Sequence, residues 1–230
     1  MRRVGILGGM GPEATVLLMS RVITAVSARD DADHIPLIVH QNPAVPSRIR
    51  HLVEGGGADP APVLAAMARD LQAAGAEALA MPCNTAHAYA DAVRGAVALP
   101  FLDMVRATAA ALPAGVRVGM LASPAVRIAG VFAAPFAARG IVPVWPDDDA
   151  PALALIRRVK AGDRGDGACA ELTRQAAALE GADHLLVACT EMSLLTRGLG
   201  GRRFTDSLDC LVAQIVAFAR NGAGGSLRAG

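Results

Sequence analysis

The chain has 230 residues, 53% of them hydrophobic and 19% charged, and its 22 basic against 21 acidic side chains leave a formal net charge of +1. That balance offers no field for gathering polyanions, which argues against a nucleic-acid or anionic-membrane protein, and the apolar content excludes disorder for most of the chain. The length suits one large domain or two of roughly 100 residues, and with only 3% aromatic residues the core must be built from Ala, Val, Leu, Ile and Met.

From the N-terminus, two arginines run directly into an apolar segment at 4–7 and a glycine turn, Gly8-Gly9-Met10-Gly11. This start lacks the length and cleavage site of a secretory signal, so none is expected. No stretch approaches the ~20 uninterrupted apolar residues that a membrane helix needs. Strands are predicted at 4–7, 35–40, 78–81, 116–121, 141–144 and 184–188. Between the first two, Ala14, Leu17, Leu18, Arg21, Val22, Ala25 and Val26 follow helical spacing, with Arg21 the only polar member. Further helices fit residues 60–74, 85–97, 151–161, 167–179 and 208–220. Strands alternating with helices predict an α/β fold with parallel sheets. The Gly-rich end at 221–230 is expected to be loose.

The two halves of the chain echo each other. Val4-Gly5-Ile6-Leu7-Gly8 returns 114 positions later as Val118-Gly119-Met120-Leu121-Ala122, and Ala80-Met81-Pro82-Cys83-Asn84-Thr85 is echoed 106 positions later by Leu186-Val187-Ala188-Cys189-Thr190. Similar offsets predict a duplication, two α/β lobes related by an approximate two-fold axis. Each copy places a cysteine just past a buried strand and just before a helix. Ligands bind in open α/β sheets at that end of the strands, where the helix start presents free N–H groups and favours a thiolate. Facing lobes would therefore aim Cys83 and Cys189 into one cleft, with either thiol partly ionised. Asn84, Thr85, Thr190 and Glu191 add polar groups where an apolar strand ends, more than a core requires. Cys169 and Cys210 lack such company and are read as structural. The four cysteines show neither paired nor CxxC spacing, so free thiols in a reducing cytoplasm are expected. The histidines at 34, 40, 51, 87 and 184 form no metal-ligand spacing.

These residues resemble the aspartate/glutamate racemase superfamily, most closely its cofactor-independent aspartate racemases. The matching segments are GILGGMGPEAT at 5–15, QNPAVPSR at 41–48, MPCNTAHAY at 81–89, KAGD at 160–163, ACTEMSLL at 188–195 and TDS at 205–207. The resemblance implies a two-lobed enzyme with its active site between the lobes, a homodimer acting on an acidic amino acid without pyridoxal phosphate or metal. It implies that Cys83 and Cys189 are the catalytic pair, one on each face of the substrate α-carbon. Cys83 would deprotonate the D-enantiomer and Cys189 the L-enantiomer. It assigns substrate contacts to Met10, Gln41, Arg48, Ser123 and Lys160, beside Asn84, Thr85, Thr190 and Glu191. The family pattern, in which the last helix returns to the first lobe, divides the chain into 1–103 plus 206–230 and 104–205.

The chemistry of the residues agrees. Inverting a stereocentre by proton exchange calls for a base and an acid on opposite faces, since one group returning its own proton restores the starting hand. The carbanion needs donors at its carboxylate, and the N–H groups after each cysteine with Asn84, Thr85 and Thr190 are candidates. Arg48 offers a fork for a carboxylate. Lys160 is the only lysine in the chain, either retained for a specific need or solvated near a helix end. A pyridoxal enzyme would use this lysine, but no phosphate cup or pyridine-nitrogen partner is identifiable. Glu191 stands where glutamate racemases carry histidine, which favours the aspartate branch; it either tunes Cys189 or caps the next helix. One departure from aspartate racemases is the segment at 122–127, which keeps a hydroxyl at Ser123 but has Val126 in place of Thr. Substrate contacts there are expected to differ.

Other readings are weaker. Gly9-x-Gly11-x-x-Ala14 fits a dinucleotide fingerprint, but the second strand ends in His40, Gln41 and Asn42 where an acid is required. Arylmalonate decarboxylases share the scaffold with one cysteine, which the pair here contradicts. Maleate cis-trans isomerases keep two cysteines, and a non-catalytic acidic amino-acid binder would keep the cations.

Overall fold

The structure is a computed structural model and describes residues 1–221; of the Gly-rich end at 221–230, residues 222–230 lie outside the described residues. The first half contains β1 (Val4–Gly8), α1 (Pro12–Thr24), β2 (Leu37–Gln41), α2 (Arg48–Leu52), α3 (Ala61–Ala73), β3 (Ala78–Ala80), α4 (Ala90–Ala96), β4 (Phe101–Leu102) and α5 (Met104–Ala111). The second contains β5 (Arg117–Ala122), α6 (Pro124–Ile128), α7 (Ala133–Ala137), β6 (Val142–Val144), α8 (Ala150–Lys160), α9 (Asp166–Ala177), β7 (His184–Ala188), β8 (Phe204–Asp206) and α10 (Ser207–Arg220). Two parallel four-stranded sheets result, ordered β2-β1-β3-β4 and β6-β5-β7-β8.

The two lobes are built alike, down to one packing detail. Gly5 pairs with Leu79 and Gly119 with Leu185, the same register in both sheets. A Cβ on Gly5 would lie 2.9 Å from Ala76 Cβ and 3.0 Å from Leu79 Cδ2; on Gly119 it would lie 3.0 Å from Ala182 Cβ and 2.9 Å from Leu185 Cδ2. Glycine at both positions lets the same side chains close over the strand, which is why this part of the repeat survives in the sequence.

Burial explains the strand composition. β1 and β3 are buried along their whole length, as expected of central parallel strands covered by helices on both faces. Leu18 and Val22 of α1 join Val4, Ile6 and Ala80 in one core, and α10 returns to it with Leu208, Leu211, Ile215 and Ala219. Each fully buried leucine contributes roughly 1.5–3 kcal/mol.

The predicted helix at 85–97 begins instead as a 3-10 segment, Thr85–Tyr89, before α4, and a second 3-10 segment, Met192–Leu199, follows the second cysteine. α1 stops at Thr24, leaving Ala25 exposed on its C-cap. β4 and β8 were not expected: two and three residues are too short for a periodic signal. Nor were α2, α5, α6 and α7, which have eight residues or fewer. Among the described residues, no helix is long and apolar enough to cross a membrane.

Candidate active site

The carboxyl ends of the strands face a pocket shared by both lobes. β1 leads into the turn Gly8–Gly11, which is fixed by close backbone approaches. Gly9 has φ +94° and lies against the Asn42 backbone, while its N–H donates to Thr15 Oγ1 at 3.0 Å. Asn42 N–H in turn donates to Gly8 O at 3.2 Å. This folds Met10 against the pocket wall. β5, the equivalent strand, leads to Ser123, whose Oγ accepts from Ala125 N–H at 3.3 Å and caps α6.

β3 and β7 deliver the cysteines. Cys83 and Cys189 are 7% and 6% exposed and line the same pocket, together with Met10, Ser47, Arg48, Ile49, Thr85, Ser123, Ile156, Lys160 and Glu191. The inner cavity is only about 30 Å³, room for about two waters. An outer cavity of about 490 Å³ adjoins it, sharing Ser47, Arg48, Lys160 and Glu191, and lies within the size range of small-molecule sites. Two ion pairs join the halves, Arg164 with Glu13, which lines the outer cavity, and Arg157 with Glu54 at 3.3 Å.

The two cysteines sit in different electrostatic settings. Cys189 Sγ donates to Glu191 Oε2 at 3.2 Å, and Glu191 Oε1 lies 3.6 Å from Lys160 Nζ. Burial pushes the Cys189 thiol well above its ordinary value, and the charge and hydrogen bond of Glu191 push it further. Backbone N–H groups of Met192 and Glu191 oppose that without prevailing. The expectation that the following helix start would ionise this cysteine is thereby corrected. The segment is a 3-10 turn with a carboxylate at its start, and desolvation outweighs the amides. Glu191 makes no side-chain cap, so of its two sequence readings the contact with Cys189 is the one present.

Cys83 is held through its backbone. Met104 N–H donates to His87 Nε2 at 3.2 Å, which leaves Nδ1 carrying the proton that it donates to Cys83 O at 2.9 Å. Burial lowers the pKa of His87 and favours this neutral ring.

Arg48, in α2, donates from Nη1 to Val45 O at 3.2 Å and Pro46 O at 2.9 Å. Among the described residues no carboxylate pairs with it, so part of its fork remains open to the pocket. Asn84 and Thr190 are buried behind the pocket rather than lining it; Asn84 Nδ2 donates to Ser207 Oγ at 2.9 Å, and its Oδ1 has no partner. Gln41 is not brought to the pocket. It ends β2 exposed, because the chain leaves that edge strand before turning inward at Val45. Ser47, Ile49 and Ile156 line the pocket without having been singled out. Ser47 carries a cap signature, its hydroxyl accepting from Arg50 N–H, whereas the isoleucines look like any helix-face residue. Among the described residues no group of three or more His, Cys, Asp or Glu is placed to hold a metal ion.

The sequence model of the Asp/Glu/Hydantoin racemase family matches residues 7–215. The chain is similar to the broad specificity amino-acid racemase RacX of Bacillus subtilis, 29% identical over 114 residues, 48% of this chain and 49% of that protein. The matched chain thus spans about half the length of this curated relative. Among solved structures it is similar to Picrophilus torridus aspartate racemase, 28% identical with a TM-score of 0.84, over 95% of this chain and 94% of that one. The glutamate racemase of Francisella tularensis in complex with D-glutamate, 16% identical, has a TM-score of 0.68 over 99% of this chain and 84% of that one, a likeness of fold.

Proposed function

The chain belongs to the Asp/Glu/Hydantoin racemase family, and from that premise we propose that it is a cofactor-independent racemase of an acidic amino acid, aspartate before glutamate. One observation carries the reading: cysteines at equivalent positions of two duplicated lobes line a single pocket beside Arg48 and Lys160. One thiolate removes the α-proton, forming S–H as C–H breaks. The thiol on the opposite face then delivers its proton to the carbanion and becomes the thiolate. Each inversion leaves the ionisation states of the two sulfurs exchanged with no net change in protons, and proton exchange with solvent restores the starting form, so two thiols suffice for inversion.

In this reading Arg48 holds the substrate's second carboxylate, and the N–H groups beyond the cysteines meet the charge growing on the α-carboxylate. Glu191 accepts the hydrogen bond of the Cys189 thiol and keeps that sulfur protonated for its role as acid, and Lys160 balances the carboxylate. The lobes divide near 103 and 206, the protein pairs as a homodimer, and free thiols suit a reducing cytoplasm. Separating aspartate from glutamate on pocket shape is a small matter, since one methylene is worth only about 1–3 kcal/mol.

The test is a panel: both enantiomers of aspartate and glutamate followed by circular dichroism, and maleate followed by proton NMR, which also reports binding. Loss of optical activity with aspartate or glutamate is expected. Turnover of maleate alone would move the assignment to an isomerase, and binding without turnover would make the protein a binder.

Glu191→Gln gives a second expected result. It removes a negative neighbour that raises the Cys189 thiol, so the thiolate forms at lower pH. The rising limb of the pH–rate profile should move toward acid in the direction that starts on Cys189, and not in the other. An unmoved profile would detach Glu191 from that proton.

A further inference from the structure

We infer that Asp206 and Ser207 are positioning residues, a clasp that fixes the spacing of the two cysteine-bearing turns. The inference rests on the two-thiol reading above. β8 passes directly into α10 at these adjacent residues, and their side chains reach in different directions. Ser207 Oγ accepts from Asn84 Nδ2 at 2.9 Å, next to Cys83. Asp206 Oδ1 accepts from Ser193 Oγ at 2.8 Å. Ser193 belongs to the Cys189 turn: its N–H donates to Cys189 O at 3.1 Å, and its Oγ lies 3.5 Å from that same carbonyl.

The rest of the network braces the clasp. Asp206 Oδ2 accepts from Arg21 Nη1 at 2.7 Å, Arg21 Nη2 donates to Ser193 O at 3.1 Å, and Leu208 N–H donates to Asp206 Oδ1 at 2.9 Å. Arg21, the only polar member of the helical spacing read from the sequence of α1, is thereby accounted for. Asn84, Ser193, Asp206 and Ser207 are all buried, so water does not compete for these bonds. A single trans peptide holds consecutive Cα atoms about 3.8 Å apart, which leaves the link between the two grips no room to stretch. Both sulfurs must reach one carbon, and a displacement of about 1 Å costs on the order of 10²-fold in rate.

The experiment measures two rates in heavy water: inversion, and the α-proton exchange with retention that is slow beside it in the wild-type protein and is followed at long incubation. Starting from the L-enantiomer, Cys189 abstracts and Cys83 must deliver. Ser207→Ala loosens the Cys83 turn, so inversion should fall about tenfold or more relative to exchange. Ser193→Ala loosens the Cys189 turn and should do the same starting from the D-enantiomer. The reciprocal pattern in either sense supports the clasp; the reversed sense exchanges the roles of the two cysteines. Equal slowing of both rates, or no change, overturns it, because loss of folded protein cannot alter the ratio. If one variant fails to fold, the other carries the test from its own side. A wild-type protein that neither exchanges nor inverts would end the racemase reading and the clasp with it, whereas normal wild-type inversion with an unmoved ratio would end the clasp alone.

Discussion

Cys83→Ser and Cys189→Ser should each lower racemisation by about 10²–10⁴-fold in both directions, far more than any change in folding explains. Each sulfur is required in both directions, as base in one and acid in the other. A hydroxyl of nearly the same shape packs in its place but ionises far less readily, so the expected stability change is only about 1 kcal/mol. Polarimetry and thermal unfolding of the same preparations separate the two effects. The double variant should be little worse than either single one, because groups acting as a unit are non-additive. A single variant running at near-normal rate would exclude a two-thiol mechanism.

Gly9→Ala should cost about 2–5 kcal/mol of stability and, in whatever folds, most of the activity. Gly9 has φ +94°, and a Cβ there would lie 2.4 Å from Asn42 C and 2.5 Å from Asn42 O. Left-handed backbone costs an alanine roughly 1–2 kcal/mol, and forced overlap typically about 1–3 kcal/mol more. Asn42 cannot simply retreat, since its N–H is bonded to Gly8 O and its carbonyl accepts from Val45 N–H at 3.4 Å. Relief must come from the turn carrying Met10, which lines the inner pocket. Gly95→Ala is the control: beyond its chain neighbours and the backbone of α4 itself, no atom lies within 4 Å of its Cβ position, so stability should hold or rise by up to about 1 kcal/mol. Urea unfolding of both variants, with equal losses at Gly9 and Gly95, would remove the close approach as the cause.

The duplicated motifs make the fold, and the shared placement of Cys83 and Cys189, readable in the sequence. Gly5 and Gly119 keep the same contact in both lobes, and Cys83 and Cys189 keep the same place at a strand end, so both left a mark in the sequence at nearly constant offset. Short elements left none. β4 has two residues, and α5, although capped by Asp103, spans two turns that are half alanine. Gln41 was misleading because it belongs to a matching segment whose later residues, Ser47 and Arg48, are the ones that reach the pocket. The pairing of Asn84 with Ser207, 123 positions apart, and the bond from Cys189 to Glu191 depend on side-chain direction after folding. Local periodicity cannot report either. The sign of the Cys189 shift was missed for the same reason: a helix-start argument counts nearby amides but not the burial that outweighs them.

The claim that two opposed thiols share one substrate carbon is tested most directly by label position. Protiated L-aspartate is turned over by the wild-type protein in heavy water, and the enantiomers are separated at early conversion. Deuterium at the α-carbon of the D-product, with the remaining L-substrate still protiated, is the predicted outcome. Equal deuterium in both enantiomers from the first time points would show a single base serving both faces and contradict it.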